Sequence, residues 1–172
     1  MFGILMKLIF WIGFPLFYFE ITCKQNIFKI IKYRFSKKGI VYAFSLAFLQ
    51  LQVSAFYNFF TKEYFFNPQI YFAGSISAVI AAPVIEETLF RGVILKKMQE
   101  NMKFAYANII TSILFAAIHL PGWIIWGNGF DIYSFISIFL ISLIWGYFYK
   151  RTGSIWTTML SHSLNNIISK II

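Results

Sequence analysis

Apolar runs of membrane-crossing length recur along this chain, and such runs leave little choice of structure. Each crossing of a bilayer takes roughly 20 residues wound as a helix, because hydrocarbon supplies no water to satisfy an open backbone. The runs fall near residues 4–19, 40–60, 70–91, 105–126, 132–149 and 154–171. They predict an all-α, polytopic transmembrane bundle of about six helices, the first and last of them short. Composition points the same way, since 59% of the 172 residues are hydrophobic and only 12% are charged, far from the balance of a soluble domain. One membrane domain over residues 1–172 fits this length and leaves no room for a separate soluble one.

The net charge of +9 would suggest nucleic acid in a soluble protein. Here the basic residues lie between apolar runs, where attraction to anionic lipid and the setting of topology explain them better, so membrane lipid is an expected partner and nucleic acid is not. Lys24, Lys29, Lys32, Arg34, Lys37 and Lys38 occupy the first loop, Lys96, Lys97 and Lys103 the third, and Lys150 and Arg151 the fifth. The second loop offers Lys62 beside Glu63, and the fourth offers Asp131 with no base. The positive-inside rule therefore predicts a multi-pass protein of the cell membrane, with loops one, three and five in the cytoplasm and both termini outside. The single cysteine, Cys23, excludes an intrachain disulfide and a Cys-rich metal site. The apolar stretch over residues 3–19 lacks a small-residue cleavage site and reads as a retained helix.

Polar side chains concentrate in the second half. Residues 70–172 are the expected seat of any chemistry, and residues 1–69 read as two scaffold helices and a basic loop, with Gln50, Gln52 and Asn58 as their main polar groups. Of the six acids, Glu86 and Glu87 alone follow a long uncharged run, IYFAGSISAVIAAPVIEETLFRG. Ionisable groups at membrane depth are costly, so they tend to face a protein interior or a water-filled cavity. Arg91 stands one helical turn after Glu87 and can partly neutralise the pair. His119 follows Phe115 by one turn in SILFAAIHLPGW, and Asn166 follows His162 by one turn in the last run. Each cluster alone has an ordinary reading as an ion pair or as polar glue between helices. Three clusters on three helices of one small domain point instead to a shared site. Counted at 1.5 Å per residue from the helix ends, Glu86 lies about 7 Å deep, His162 about 12 Å and His119 about 20 Å. Pro83 and Pro121 each deprive a preceding carbonyl of its helical donor and predict kinks beside the polar clusters.

Glu86-Glu87-x-x-x-Arg91, Phe115-x-x-x-His119 and His162-x-x-x-Asn166 occur in this order on successive helices, with one helix between the last two. They resemble the three motifs of the CPBP intramembrane proteases, which include the type II CAAX prenyl proteases and the bacterial Abi, or bacteriocin-processing, relatives. The likeness covers about residues 70–170, and the chain is shorter than such proteins usually are, by one or two N-terminal helices. It implies an endopeptidase acting on a peptide or protein that enters from the bilayer, in bacteriocin or pheromone maturation or in self-immunity. By position, Glu86 becomes the general base and His119 the group that helps activate water. His162 and Asn166 polarise the scissile carbonyl, while Glu87 and Arg91 orient the site. The resemblance leaves two routes to an activated water: a divalent metal such as zinc held by Glu86, His119 and His162, or a metal-free Glu/His pair, which the absence of an HExxH helix favours. A different class of function, a non-proteolytic immunity protein or a proton-coupled carrier, can use the same Glu and His residues. Inverted repeats, common in carriers, are not evident.

Overall fold

The structure is a computed structural model that describes residues 35–61, 77–126 and 129–171. The helix expected near 4–19, the second loop with Lys62 and Glu63, and the start of the third apolar run lie outside these residues. Six helical elements follow one another, with no strand among the described residues. They are α1 (Lys37–Thr61), α2 (residues 77–98), α3 (Phe104–Ala117), α4 (Leu120–Trp126), α5 (Ile132–Thr152) and α6 (Ile155–Ile171). Among the described residues, three stretches are long and apolar enough to cross a membrane: Lys37–Phe56, Phe104–Ile124 and Ile132–Thr152.

The bundle is apolar outside, and its interior combines small and polar side chains with a few large apolar ones. Phe44, Phe48 and Phe56 of α1, Ile109 and Ile113 of α3, and Ile136, Leu140 and Ile144 of α5 face outward, while Asn108, Thr111, Ser112 and Ser142 are buried. Lipid tails are as apolar as leucine, so helices in a membrane associate through close packing and interhelical hydrogen bonds rather than through expulsion of water. Two glycines allow that closeness. A Cβ at Gly39 of α1 would collide with the Thr157 side chain of α6, and one at Gly146 of α5 would collide with the Asn108 amide of α3. That amide donates to the carbonyl of Leu143 at 3.0 Å, tying α3 to α5. Around these crossings Leu46, Phe90, Phe115 and Trp145 form the buried apolar core. The Phe115 ring stands edge-on to Phe90 at 4.9 Å and to Trp145 at 5.9 Å, the T-shaped geometry that aromatic quadrupoles prefer.

Helix ends obey local chemistry. Asp131 caps α5 by accepting from the backbone N–H groups of Tyr133 and Ser134 at 3.1 and 3.0 Å. Hydrogen bonds from the Ser134 hydroxyl and backbone hold the Asp131 carboxyl below its usual range, so the cap outlasts that range and is lost only as pH falls through the lowered folded value. Gly153 closes α5 at φ 60°, a left-handed conformation open to glycine, and its N–H returns to the carbonyl of Tyr149 at 2.8 Å.

The runs expected near 40–60, 132–149 and 154–171 emerge as α1, α5 and α6 with shifted ends, and two expectations need correction. The third helix does not stop near Arg91 but continues to Met98, partly as π-helix over Ser77–Ala81 and Thr88–Leu95. Its first wide segment immediately precedes Pro83, whose missing N–H leaves the carbonyl of Val79 without its usual donor; local π adjustment is one way to accommodate this. The run at 105–126 is not one helix but α3 and α4, broken at Ile118 and His119 just before Pro121. Basic residues meet at one end, as their alternation predicts: Lys150 lies over the Phe104 ring at 4.3 Å, and Lys37, Lys38 and Arg151 line one hollow. Replacing Gly146 by alanine is expected to cost about 1–3 kcal/mol through overpacking and to lower the thermal midpoint in detergent. Adding Asn108→Ala should recover part of that loss, and an unchanged midpoint for Gly146→Ala alone would show that the crossing tolerates a methyl group.

Candidate functional site

Helix α2 brings three charged side chains into the interior, with Glu86 3% exposed and both Glu87 and Arg91 at 0%. The four-residue spacing of the last two places them on one face, and Arg91 Nη1 donates to Glu87 Oε1 at 2.9 Å. Arg91 Nη2 reaches across to α5, donating to the carbonyl of Ser142 at 2.9 Å and to its hydroxyl at 2.6 Å. The Ser142 hydroxyl in turn donates to Ser112 of α3 at 3.1 Å. Aromatic faces complete the seat, with the guanidinium carbon 4.8 Å from the Phe115 centroid and 5.6 Å from that of Trp145. Glu87 Oε2 and Arg91 Nε find no hydrogen-bond partner among the described residues.

Helix α6 presents His162 to both carboxylates. Its Nδ1 lies 3.1 Å from Glu87 Oε1, and its Nε2 lies 3.9 Å from Glu86 Oε2. An ionised carboxylate only accepts, so Nδ1 carries the hydrogen and the Glu87 contact fixes the ring's orientation. The Trp145 indole stacks on the imidazole at 4.4 Å and is itself held by a hydrogen bond from Nε1 to Ser161 at 2.9 Å.

His119 owes its position to the helix break. In a continuous helix its backbone N–H would serve the carbonyl of Phe115, but it bonds to Ala116 at 3.1 Å instead. The freed Phe115 carbonyl accepts from His119 Nδ1 at 2.8 Å, which leaves the imidazole's lone pair on Nε2. Phe115 stands between the two imidazoles, with its centroid 5.4 Å from His119 and 5.7 Å from His162. One turn beyond His162, Asn166 is half-buried and accepts from the Asn165 amide at 3.3 Å, while Asn165 accepts from Gln50 of α1 at 2.5 Å.

The depth mismatch inferred from sequence has a structural origin. With α2 running to Met98, Glu86 lies about 18 Å from that helix end, close to the roughly 22 Å of His119 from Phe104. His162 is about 10 Å from the start of α6, where Ser154 and Ile155 are fully buried although Arg151 and Trp156 beside them are exposed. Sequence reasoning missed Ser112, Ser142 and Trp145, and with them the role of Ser161 as the acceptor that holds Trp145. A signal was present: Asn108, Thr111, Ser112 and Phe115 share one helical stripe, as do Ser142, Trp145 and Gly146. Among the described residues, no three His, Cys, Asp or Glu side chains are placed to hold one ion, so Glu86, His119 and His162 do not form a metal cage as arranged.

An all-helical membrane bundle with carboxylates and imidazoles gathered in its interior defines the class of protein. Residues 68–168, more than half of the chain, match the type II CAAX prenyl endopeptidase Rce1-like family, and the chain belongs to that family. A stretch of 91 residues is also 25% identical to the protein named "Putative membrane peptidase YdiL" of Bacillus subtilis (strain 168). That similarity covers 53% of this chain and 33% of the relative, so the chain spans about a third of the relative's length. No solved structure matches the chain significantly.

Removing one partner of a buried ion pair costs about 3–5 kcal/mol because the other charge is left uncompensated. Arg91→Met is therefore expected to unfold at a markedly lower temperature than the parent, and Arg91→Met with Glu87→Gln at an intermediate one. A double variant whose loss equals the sum of the losses in Arg91→Met and Glu87→Gln would show that the pair contributes no coupling.

Proposed function

We propose that this protein is a multi-pass intramembrane endopeptidase in which Glu86 and His119 activate the water that hydrolyses a peptide bond. The observation that carries this reading is the sharing of one buried imidazole by two buried carboxylates, with Glu87 committed to Arg91 and to His162 Nδ1 while Glu86 faces His162 Nε2 across 3.9 Å. At that distance the two groups are not hydrogen-bonded to each other, and a water oxygen within reach of both sits to one side of the line joining them. In the proposed step Glu86 takes a proton from water as the water oxygen bonds to the carbonyl carbon. The resulting oxyanion accepts hydrogen bonds from His162 and Asn166. When the C–N bond breaks, Glu86 returns the proton to the leaving nitrogen. With Nδ1–H committed to Glu87, His162 can donate to an oxyanion only through Nε2, which requires the imidazolium form; Glu86, Glu87, Arg91 and that imidazolium then sum to zero charge. Glu87 and Arg91 act as positioning residues.

Residues 70–172 supply this chemistry, and α1 supports it through the bond from Gln50 to Asn165. The basic loops favour a site opening toward the cytoplasmic half of the membrane. A small membrane-associated peptide, such as a leader peptide or pheromone precursor, fits as substrate, and maturation or self-immunity as outcome. Family membership and the named peptidase relative support hydrolysis as the reaction type.

Glu86→Gln keeps the volume but cannot take a proton, so cleavage of a cognate peptide, followed by mass spectrometry, should fall at least a hundredfold while the thermal midpoint is retained. Immunity or transport that survives this substitution unchanged would favour the non-proteolytic carrier. Because the carboxylate and imidazoles do not form a metal cage, active protein is expected to contain far less than one zinc per chain and to keep cleaving in a strong chelator. Stoichiometric zinc, lost together with activity in His119→Ala, would overturn the metal-free route.

A further inference from the structure

We propose that the basic end of the bundle holds a site for one anionic phospholipid, its acyl chain in a cleft between α1 and α6 and its phosphate among Lys37, Lys38 and Arg151. The cleft, about 250 Å³ in volume, is lined mainly by Phe35, Ile40, Trp156 and Leu160. A second hollow of about 420 Å³ adjoins it, formed by Lys37, Lys38, Arg151 and Thr152, and Phe35 and Ser36 border both. The surface thus passes without interruption from an apolar slot to a cationic mouth. An exposed apolar slot on a membrane protein meets lipid tails anywhere; one that opens onto three cations at the end of two spans selects for a headgroup as well.

Charge argues for the occupant. Among the described residues no salt bridge engages Lys37, Lys38 or Arg151, and the aromatic partner of Arg151, Tyr147 at 6.0 Å, supplies no neutralising charge. Three like charges around one hollow repel one another, and a phosphate diester between them relieves that repulsion. A phosphatidylcholine headgroup carries its own cation and gives no such net relief. Each basic residue near an anionic headgroup is worth about 1 kcal/mol, a factor of about five, so three together predict a preference for the anionic lipid on the order of a hundredfold at low ionic strength. The site lies at the end of the bundle opposite Asp131, the N-cap of α5.

Trp156 is 46% exposed and lines the slot, which makes it the reporter. Full-length protein in mixed micelles is titrated with phosphatidylglycerol or phosphatidylcholine carrying brominated acyl chains, and the quenching lost on Trp156→Phe is taken as the signal from that residue. Saturable quenching at far lower mole fractions of brominated phosphatidylglycerol than of phosphatidylcholine is expected. The triple variant Lys37→Gln, Lys38→Gln, Arg151→Gln, whose substituted residues are all exposed, should lose that preference and keep its fold by circular dichroism. Equal quenching by both lipids would overturn the proposal in favour of ordinary lipid contact. Absence of quenching would overturn it in favour of a slot covered by protein. A preference kept by the triple variant, or abolished in the parent by millimolar glycerol phosphate, would show that the lipid is not held by these cations and this slot together.

Discussion

The ion pair between Glu87 and Arg91 is the constraint around which the interior is arranged. Neither charge is exposed, and desolvating each costs several kcal/mol that their mutual attraction alone does not reliably return. The remainder must come from further hydrogen bonds and polarizable faces, and each surrounding element supplies one. Ser142 on α5 and Ser112 on α3 extend the polar chain, Phe115 and Trp145 offer ring faces, and His162 on α6 takes the shared carboxylate oxygen. One electrostatic liability on α2 therefore specifies which face each of three other helices turns inward. In a bilayer, where no hydrophobic force distinguishes a leucine-rich helix face from the lipid beside it, such polar demands are what give the packing its direction.

Much of this arrangement was legible in the residues. The four-residue spacing of Glu87 with Arg91 is a property of a helix and appears as a contact, whereas Phe115 and His119 touch although α3 ends at Ala117 between them. The number and order of the apolar runs over the described residues follow from hydropathy alone. Contacts between helices were not legible, because periodicity assigns a face to a residue but not a partner to a face. Nothing in the order of residues tells that His162 Nδ1 meets Glu87 while its other nitrogen turns to Glu86, or that a serine on α5 receives the guanidinium. The extension of α2 was hidden for another reason: Arg91, Lys96 and Lys97 look like the end of a span when they are counted as charges, yet Arg91 is buried.

The break before Pro121 shows a local defect turned to use. Proline removes one donor and the chain tightens at His119, so the Phe115 carbonyl loses its backbone partner. The imidazole that replaces it is thereby held in one tautomer. His162 commits Nδ1 by a different means, to a carboxylate in place of a carbonyl. Both rings commit Nδ1 to the protein, which fixes their orientation.

The two glycine crossings join helices pairwise, α1 with α6 through Gly39 and Thr157, and α3 with α5 through Gly146 and Asn108. A meshing that has no room for a Cβ resists both sliding and axial rotation unless the helices first separate. Mechanically the bundle is then two jaws, joined directly where Trp145 of α5 meets Ser161 and His162 of α6 and again through α2. Arg91 grips one jaw at Ser142, and Glu87 grips the other at His162. Spreading the jaws would strain two links at once, the bonds from Ser142 through Arg91 and Glu87 to His162 and the direct seat of Trp145 on Ser161 and His162, and both of them end on the same imidazole or its neighbour.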